Sequence, residues 1–322
     1  VAETATLFDD EEGGNANADD PAIWRNSADP DRSLVVATAK GGGLRVYDLG
    51  AREVQALPAP SGPGPKDSPG RFNNVDLVHQ MRLSGGRADL AVVTDRGNDR
   101  LRFYRIDRDR PGGPLTDVTA PTVPAVFSAS QEEINDQRTA YGLATWTDRS
   151  TGRSYAGQED VGIWRMRADL TSAPVLVERV REYGVPATYD EETEECTPGT
   201  DPGFGGRRLS ADVEGLTIVD EGDGEGYLMA SSQGDNTFAF YDRERKDGRE
   251  YEGGVRITAR SRDLDGSEEC DGAAALNQPL GRAFPRGLLV VQDGHDAPED
   301  GPRTATGFKF VDLGKVLDAL DD

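Results

Sequence analysis

Short apolar runs broken by polar or glycine-rich turns recur along the whole chain, among them AIW, LVVATA and LRVYDL before residue 50 and LAVVTD and LRFYRID before residue 108. Runs bounded in this way by Gly, Pro, Asn and Asp predict strands; in a helix the apolar positions would return about every 3.6 residues. The runs also come in a fixed order. A small or acidic residue precedes a first strand, a second strand is rich in Val, Ala and Thr, and an aromatic strand follows. Asp20-Pro21-Ala22-Ile23-Trp24 leads to LVVATA and LRVYDL, and Asn74-Val75-Asp76-Leu77-Val78 to LAVVTD and LRFYRID. Tyr141-Gly142-Leu143-Ala144-Thr145 leads through RSYAG to GIWRM. Val213-Glu214-Gly215-Leu216-Thr217 leads to YLMASS and FAFYDRE, and Asp271-Gly272-Ala273 to GLLVVQDG and GFKFVDL.

Units of roughly 60 residues repeated in this way are small antiparallel sheets with two faces to cover, and radial stacking around an axis covers both. The expectation is an all-β fold, a β-propeller of antiparallel blades with five blades countable, in a single domain over residues 1–322. The opening ATLF segment either adds a strand to the last blade or forms a disordered tail. Ser61 to Gly70 and Asp190 to Gly206 read as long loops, the kind that builds the functional face of a propeller. GKVLDAL near the end reads as a short amphipathic helix, and DEGDGEG at Asp220 to Gly226 as a hairpin turn, because it lacks the spacing of an EF-hand.

Composition narrows the function. The 59 Asp and Glu against 36 Lys and Arg give a net charge of −23, which excludes nucleic acid as a partner because phosphate backbones need a basic face. No apolar stretch approaches the roughly 20 residues of a membrane helix. The two cysteines, Cys196 and Cys270, stand in no CxxC or Cys/His cluster, so zinc and redox chemistry are not expected. The chain opens at Val1 without an apolar leader, which fits a mature exported protein and equally a shortened chain. If exported, the two cysteines pair, closing a loop of about 74 residues worth roughly 4 kcal/mol; otherwise they are two buried thiols. His79 and His295 lie far apart without a partnered Ser or Cys motif, so triad catalysis is not expected.

Polar residues stand at the head of each first strand: Asp19 and Asp20, Asn73 and Asn74, Tyr141, Asp212 and Glu214, and Asp271. Equivalent positions of successive blades converge on the axis of a propeller. Two carboxylates about 4 Å apart repel by roughly 4 kcal/mol at an effective dielectric of 20, so such a ring requires a cation. Oxygen ligands alone favour calcium. Divalent ions would let an acidic protein bind phosphate and would activate a water for in-line attack. Lys40 in TAKGGGL and Arg96 in TDRGN follow the second strands of successive blades, where a cation can hold a phosphate.

NADDPAIW, TAKGGGLRVYDL, NNVD, YGL, DVEGLTI, YLMASSQGDNTFAFYDR, CDG and FPRGLLVVQDG together resemble the β-propeller phytases, a six-bladed family of calcium-dependent, neutral-to-alkaline phosphatases acting on phytate. The resemblance implies a calcium cluster held by Asp19, Asp212, Glu214, Gln233 and Asp271, with Glu159 similar to the acid of an EED motif. It implies a structural calcium on Asp20 and the carbonyls of Pro21 and Val75, a further ligand in Asp265, and phosphate contacts from Lys40, Arg96 and Tyr141. It further implies a secreted monomer. The sequence departs from the family in two places. SYAG passes straight into Gln158-Glu159-Asp160, so a lysine-bearing run of about one blade is absent, and Gly41 stands where a second lysine often follows Lys40. The residues alone also suit a non-catalytic calcium-stabilised propeller that binds a phosphorylated ligand, or a calcium-dependent lactonase-type propeller, which would not need Lys40 and Arg96 at the mouth.

Overall fold

In the computed structural model, residues 2–9, 13–14, 16–83, 85–136, 153–167, 169, 171–190, 195–243, 251–259, 264–296 and 304–321 are described. In chain order the strands are β1 (Ala2–Glu3), β2 (Leu7–Phe8), β3 (Pro21–Trp24), β4 (Leu34–Thr38), β5 (Leu44–Asp48), β6 (Glu53–Leu57), β7 (Phe72–Leu83), β8 (Gly86–Asp95), β9 (Arg100–Ile106) and β10 (Leu115–Asp117). There follow α1 (Gln131–Asn135), β11 (Arg153–Gln158), β12 (Gly162–Arg167), β13 (Val175–Arg179), β14 (Ala187–Asp190), β15 (Glu195–Pro198), β16 (Leu216–Gly222), β17 (Glu225–Ser232), β18 (Thr237–Asp242) and β19 (Tyr251–Val255). The chain ends with β20 (Ala273–Leu276), β21 (Leu288–Asp293), β22 (Ala305–Asp312) and α2 (Leu313–Asp321).

Among the described residues the strands form five antiparallel blades, β3–β6, β7–β10, β11–β13, β16–β19 and β20–β22, together with a separate β14–β15 hairpin that overlaps the start of the stretch expected to be a loop, Asp190 to Gly206. This is the all-β propeller class that the repeats predicted. The first strand expected for the third blade, Tyr141 to Thr145, lies outside the described residues. The β16–β17 turn takes the hairpin reading of DEGDGEG: Asp223 and Gly224 connect the strands with φ of 52° and 95°, the left-handed pair of a two-residue turn.

Contacts gather the chain into two compact units, residues 1–145, 257–268 and 272–322 in one, and residues 146–256 and 269–271 in the other. In the first unit, the second strand of each blade is covered on both faces, which is why it reads as an unbroken apolar run. All of β4 is buried, and successive residues face opposite ways. Val35 and Ala37 pack with Val290, Phe308 and Phe310 of the last blade, whereas Leu34 and Val36 pack with Phe72, Ala91 and Val93 of the next. The outer strand β6 is largely solvated and correspondingly polar. Tyr47 meets Phe308 and Phe310 with ring centroids at 6.1 and 6.5 Å, and Phe72 meets Tyr104 at 6.3 Å, pairs worth about 1 kcal/mol each beyond their buried area. The second unit has its own core of Ile163, Leu209, Val213, Ile218, Leu228 and Tyr241.

The N-terminal residues join the last blade. β1 and β2 both pair antiparallel with β22, placing Glu3 directly opposite Lys309. Lys309 is 1% exposed, and its Nζ bonds Glu3 at 2.8 Å, Asp296 at 2.8 Å and Asp293 at 3.0 Å, and also reaches Asp265. These partners hold the ammonium firmly protonated against the effect of burial. Replacing Lys309 by Met is expected to cost on the order of 3–5 kcal/mol in chemical denaturation, because it leaves buried carboxylates without a counter-charge. A loss below about 1 kcal/mol would mean that the carboxylates do not depend on it.

Candidate active site

In the first unit the first strands β3, β7 and β20 pack side by side, so the residues that precede them meet at one end of three sheets. Asp19, 4% exposed, accepts a hydrogen bond from Asn73 Nδ2 at 2.8 Å, and its carbonyl accepts from Gly272 N at 3.2 Å. Asp20 accepts from the Val75 N–H at 3.0 Å, and its backbone is locked to Thr38 on β4. Only glycine fits at 272, because a Cβ there would lie 2.5 Å from Asp20 Oδ1. Burial pushes the Asp20 carboxyl well above the usual carboxylate range against the opposing Val75 bond, and the neighbouring charges of Asp19 and Asp76 push it the same way.

The donors around this cluster fit a hard cation. Asn73 is fully buried, and while its nitrogen serves Asp19, its Oδ1 has no hydrogen-bond partner. A buried carbonyl oxygen left without a donor costs about 1–3 kcal/mol, which coordination to a cation beside Asp19 and Asp20 would remove.

Lys40 sits at the same sheet end in a tight turn with φ of 42°, closed by Gly42 N to Ala39 O at 2.7 Å and Gly43 N to Lys40 O at 3.1 Å. Arg96 opens a short 3-10 turn, Arg96–Asn98, directly after β8. Antiparallel pairing of β3 with β4 and of β7 with β8 puts the ends of β4 and β8 level with the starts of β3 and β7, so both cations lie at the carboxylate end. Tyr141, expected beside them, lies outside the described residues.

The second unit gathers its own acids. Asp212 has its carboxyl pushed up to about 6, first by burial, then by the charges of Asp160 and Glu159 and by a hydrogen bond shared with Asp160; Glu182 adds to the effect. Glu159 is carried there by the β11–β12 turn, and its carbonyl accepts from Val213 N at 3.3 Å. Glu182 is fixed by Ser210 Oγ at 2.7 Å and Ala211 N at 2.8 Å. Gln233 donates its backbone N–H to the Asp212 carbonyl at 3.2 Å, and its Nε2 to Asp271 Oδ1 at 3.2 Å. Glu214 stands next to the buried Val213, where Ser231 Oγ accepts from Gly215 N at 2.7 Å.

Of the expected metal ligands, the structure thus brings Asp19, Asp20 and Val75 together in one unit, and Glu159, Asp212, Gln233 and Asp271 together in the other. Asp265 is placed elsewhere in the first unit, where with Glu3 and Asp296 it forms an acidic trio held by the Lys309 ammonium. The sequence reading missed Asp76, Asp160 and Glu182. Asp160 stood beside Glu159 in QEDVG and Asp76 within NNVD, but Glu182 in VREYG carried no local signal. Cys270 is buried, and the side chain of Cys196 lies outside the described residues.

An all-β propeller with clustered carboxylates and neighbouring cations is the class that fold and side chains define. The family model described as Phytase matches residues 2–157 and 132–322. The chain is 30% identical over 339 residues to the 3-phytase of Bacillus subtilis (strain 168), covering 96% of this chain and 82% of that protein. The chain belongs to the phytase family and is a phosphoric monoester hydrolase. Among solved structures it resembles the endo-arabinase from Bacteroides thetaiotaomicron VPI-5482, with a TM-score of 0.41 and 15% identity over 90% of this chain and 93% of that one. It also resembles the GH43_1 enzyme from Xanthomonas citri, with a TM-score of 0.37 and 12% identity over 91% of this chain and 87% of that one.

A raised carboxyl pKa fixes the sign of a pH effect. At Asp212 the folded chain still holds a proton that the unfolded chain gives up near about pH 3.9, so this group favours the folded state at low pH. That contribution is lost as pH rises from about 4 through 6. Chelated protein is therefore expected to melt at a lower temperature at about pH 8 than at about pH 5. A chelated protein whose melting temperature rises over this interval would contradict the assignment.

Proposed function

We propose that this chain is a calcium-dependent phytase that removes phosphate from myo-inositol hexakisphosphate, taken up as its calcium complex. The observation that carries the reading is the joint placement, at one sheet end of the first unit, of Asp19, Asp20 and the unpartnered Asn73 Oδ1 with Lys40 and Arg96. Acids alone would repel a polyanion. Cations alone would bind it without activating a nucleophile.

In this reading Asp19 in the first unit, and Asp212, Glu214, Gln233 and Asp271 in the second, would each serve as ligands to catalytic ions, and Asp20 with the Pro21 and Val75 carbonyls would hold a structural one. Bound calcium supplies positive charge to the phosphate oxygens and acidifies a water for attack at phosphorus. Lys40 and Arg96 hold the phosphate by charge-assisted hydrogen bonds, and Tyr141 donates its hydroxyl to the same group. Asp160 and Asp212 share a hydrogen bond, and a cation held by Asp212 would favour the ionised form of that carboxyl. The protein acts as a secreted monomer with a bridge between Cys196 and Cys270.

Phosphate release from phytate is expected with calcium present and lost on chelation. Release equal in both conditions would remove calcium from the reading, and release in neither would leave a non-catalytic ligand-binding propeller. Lys40→Ala is expected to raise KM for phytate about tenfold or more, from the loss of roughly 1.5–3 kcal/mol per charged hydrogen bond. An unchanged KM would remove Lys40 from the phosphate site.

A further inference from the structure

Backbone contacts place a third basic residue, Arg71, between the two cations already described. Phe72 N donates to the Lys40 carbonyl at 3.1 Å, so residue 71 lies one position from the Lys40 turn. On the other side Arg96 N donates to the Arg71 carbonyl at 2.7 Å. Residues 40, 71 and 96 therefore follow one another across the same end of two adjacent blades, although they are widely separated in sequence.

Asp95 fixes this arrangement. It is fully buried, and its Oδ1 accepts from Arg71 N at 3.1 Å and from Asn98 N at 3.2 Å, which ties residue 71 to the turn that carries Arg96. Its Oδ2 accepts from Arg102 Nε at 2.6 Å, so the buried charge has a guanidinium of its own. The turn can come this close because residue 97 is glycine: a Cβ there would lie 1.9 Å from the Pro69 carbonyl oxygen. The Arg71 side chain is partly exposed, on a protein whose net charge is −23. On such a surface, three bases set side by side by main-chain hydrogen bonds offer donors and positive charge suited to a polyanion.

We infer that Arg71 is a third substrate-holding cation, acting with Lys40 and Arg96, and that it selects for substrates carrying several phosphates. The inference rests on the phosphate-handling reading of this sheet end and deepens it, with Asp95 as the positioning residue that sets the spacing of both arginines.

The test compares Arg71→Ala and Arg71→Lys with the unaltered protein in the presence of calcium. Two quantities are measured, KM for phytate at low and moderate ionic strength, and the calorimetric affinity for a hexasulfate analogue of phytate, which requires no turnover. Arg71→Ala is expected to raise KM and to weaken hexasulfate binding, each about tenfold. It should also flatten the salt dependence, since one fewer charge is screened. Arg71→Lys keeps the charge and should keep the salt dependence. Equal affinity and equal salt dependence in the unaltered protein and Arg71→Ala would overturn the inference, as would a salt dependence lost equally in Arg71→Lys. If the unaltered protein binds the hexasulfate but releases no phosphate, the hydrolytic reading fails by itself, and the binding series still decides the role of Arg71.

Discussion

Like charges brought together in a poorly hydrated place must be offset, and much of this structure answers to that constraint. Sheets stacked face to face bring the heads of their first strands together, and in this chain many of those heads are acidic. At an effective dielectric of about 20, two carboxylates some 4 Å apart repel by roughly 4 kcal/mol, a large part of the stability of an ordinary domain. The molecule offsets this repulsion in different ways. Around Glu3, Asp265, Asp293 and Asp296 it supplies its own ammonium from Lys309. Between Asp160 and Asp212, burial and like charge push the Asp212 carboxyl up to about 6, so a proton is held there more readily than on an ordinary carboxyl. At Asp19 it donates the Asn73 amide nitrogen, and leaves the oxygen of that amide without a donor. An internal base makes a permanent structure, whereas a proton or an unpartnered oxygen leaves the charge open to a cation from solution.

Precise placement of these groups follows from where the core lies. β4 and β21 are buried along their whole length, so the sheet ends they carry cannot shift without disturbing packed side chains on two faces. The chemistry is set just beyond those strands, in turns whose geometry is held by main-chain bonds and not by long side chains. Lys40 rests on a glycine-closed turn, Arg96 on a 3-10 turn capped by Asp95, and Asp20 on two bonds to Thr38. Side chains used for binding thus project from backbone that is already fixed, which lowers the entropy cost of holding a ligand.

The blades were legible in the sequence because a strand covered on both faces must be apolar throughout, and LVVAT, LAVVT and LLVVQ carry that signature without help from neighbours. Asp19, Asp20 and Asp212 were legible because each stands ahead of a blade's first strand. Glu182 was not. It reaches the Asp212 site through bonds to Ser210 and Ala211, residues far along the chain, and nothing local distinguishes it from the solvated acids of a protein with 59 of them. The role of Lys309 was hidden for the same reason. In FKF it looks like the outward residue of an alternating strand, and only the pairing of β1 with β22 sets Glu3 opposite it. Register and contacts between sheets decide such cases, and neither has a local pattern.

The middle of the chain, where the resemblance implies a run that this sequence lacks, bears on the phosphate side of the site. Residues 132–157 are matched twice by the family model, once at the end of its first match and once at the start of its second, and five blades are formed. The resemblance implies that the run this sequence lacks bears a lysine, and that Gly41 stands where another often follows Lys40. A polyanion held by fewer bases loses affinity steeply, because each charge-assisted bond contributes on the order of 1.5–3 kcal/mol. What remains must come from bases whose backbones the surviving sheets fix. Lys40, Arg71 and Arg96 meet that condition through contacts confined to the first unit, so their spacing does not depend on the middle of the chain.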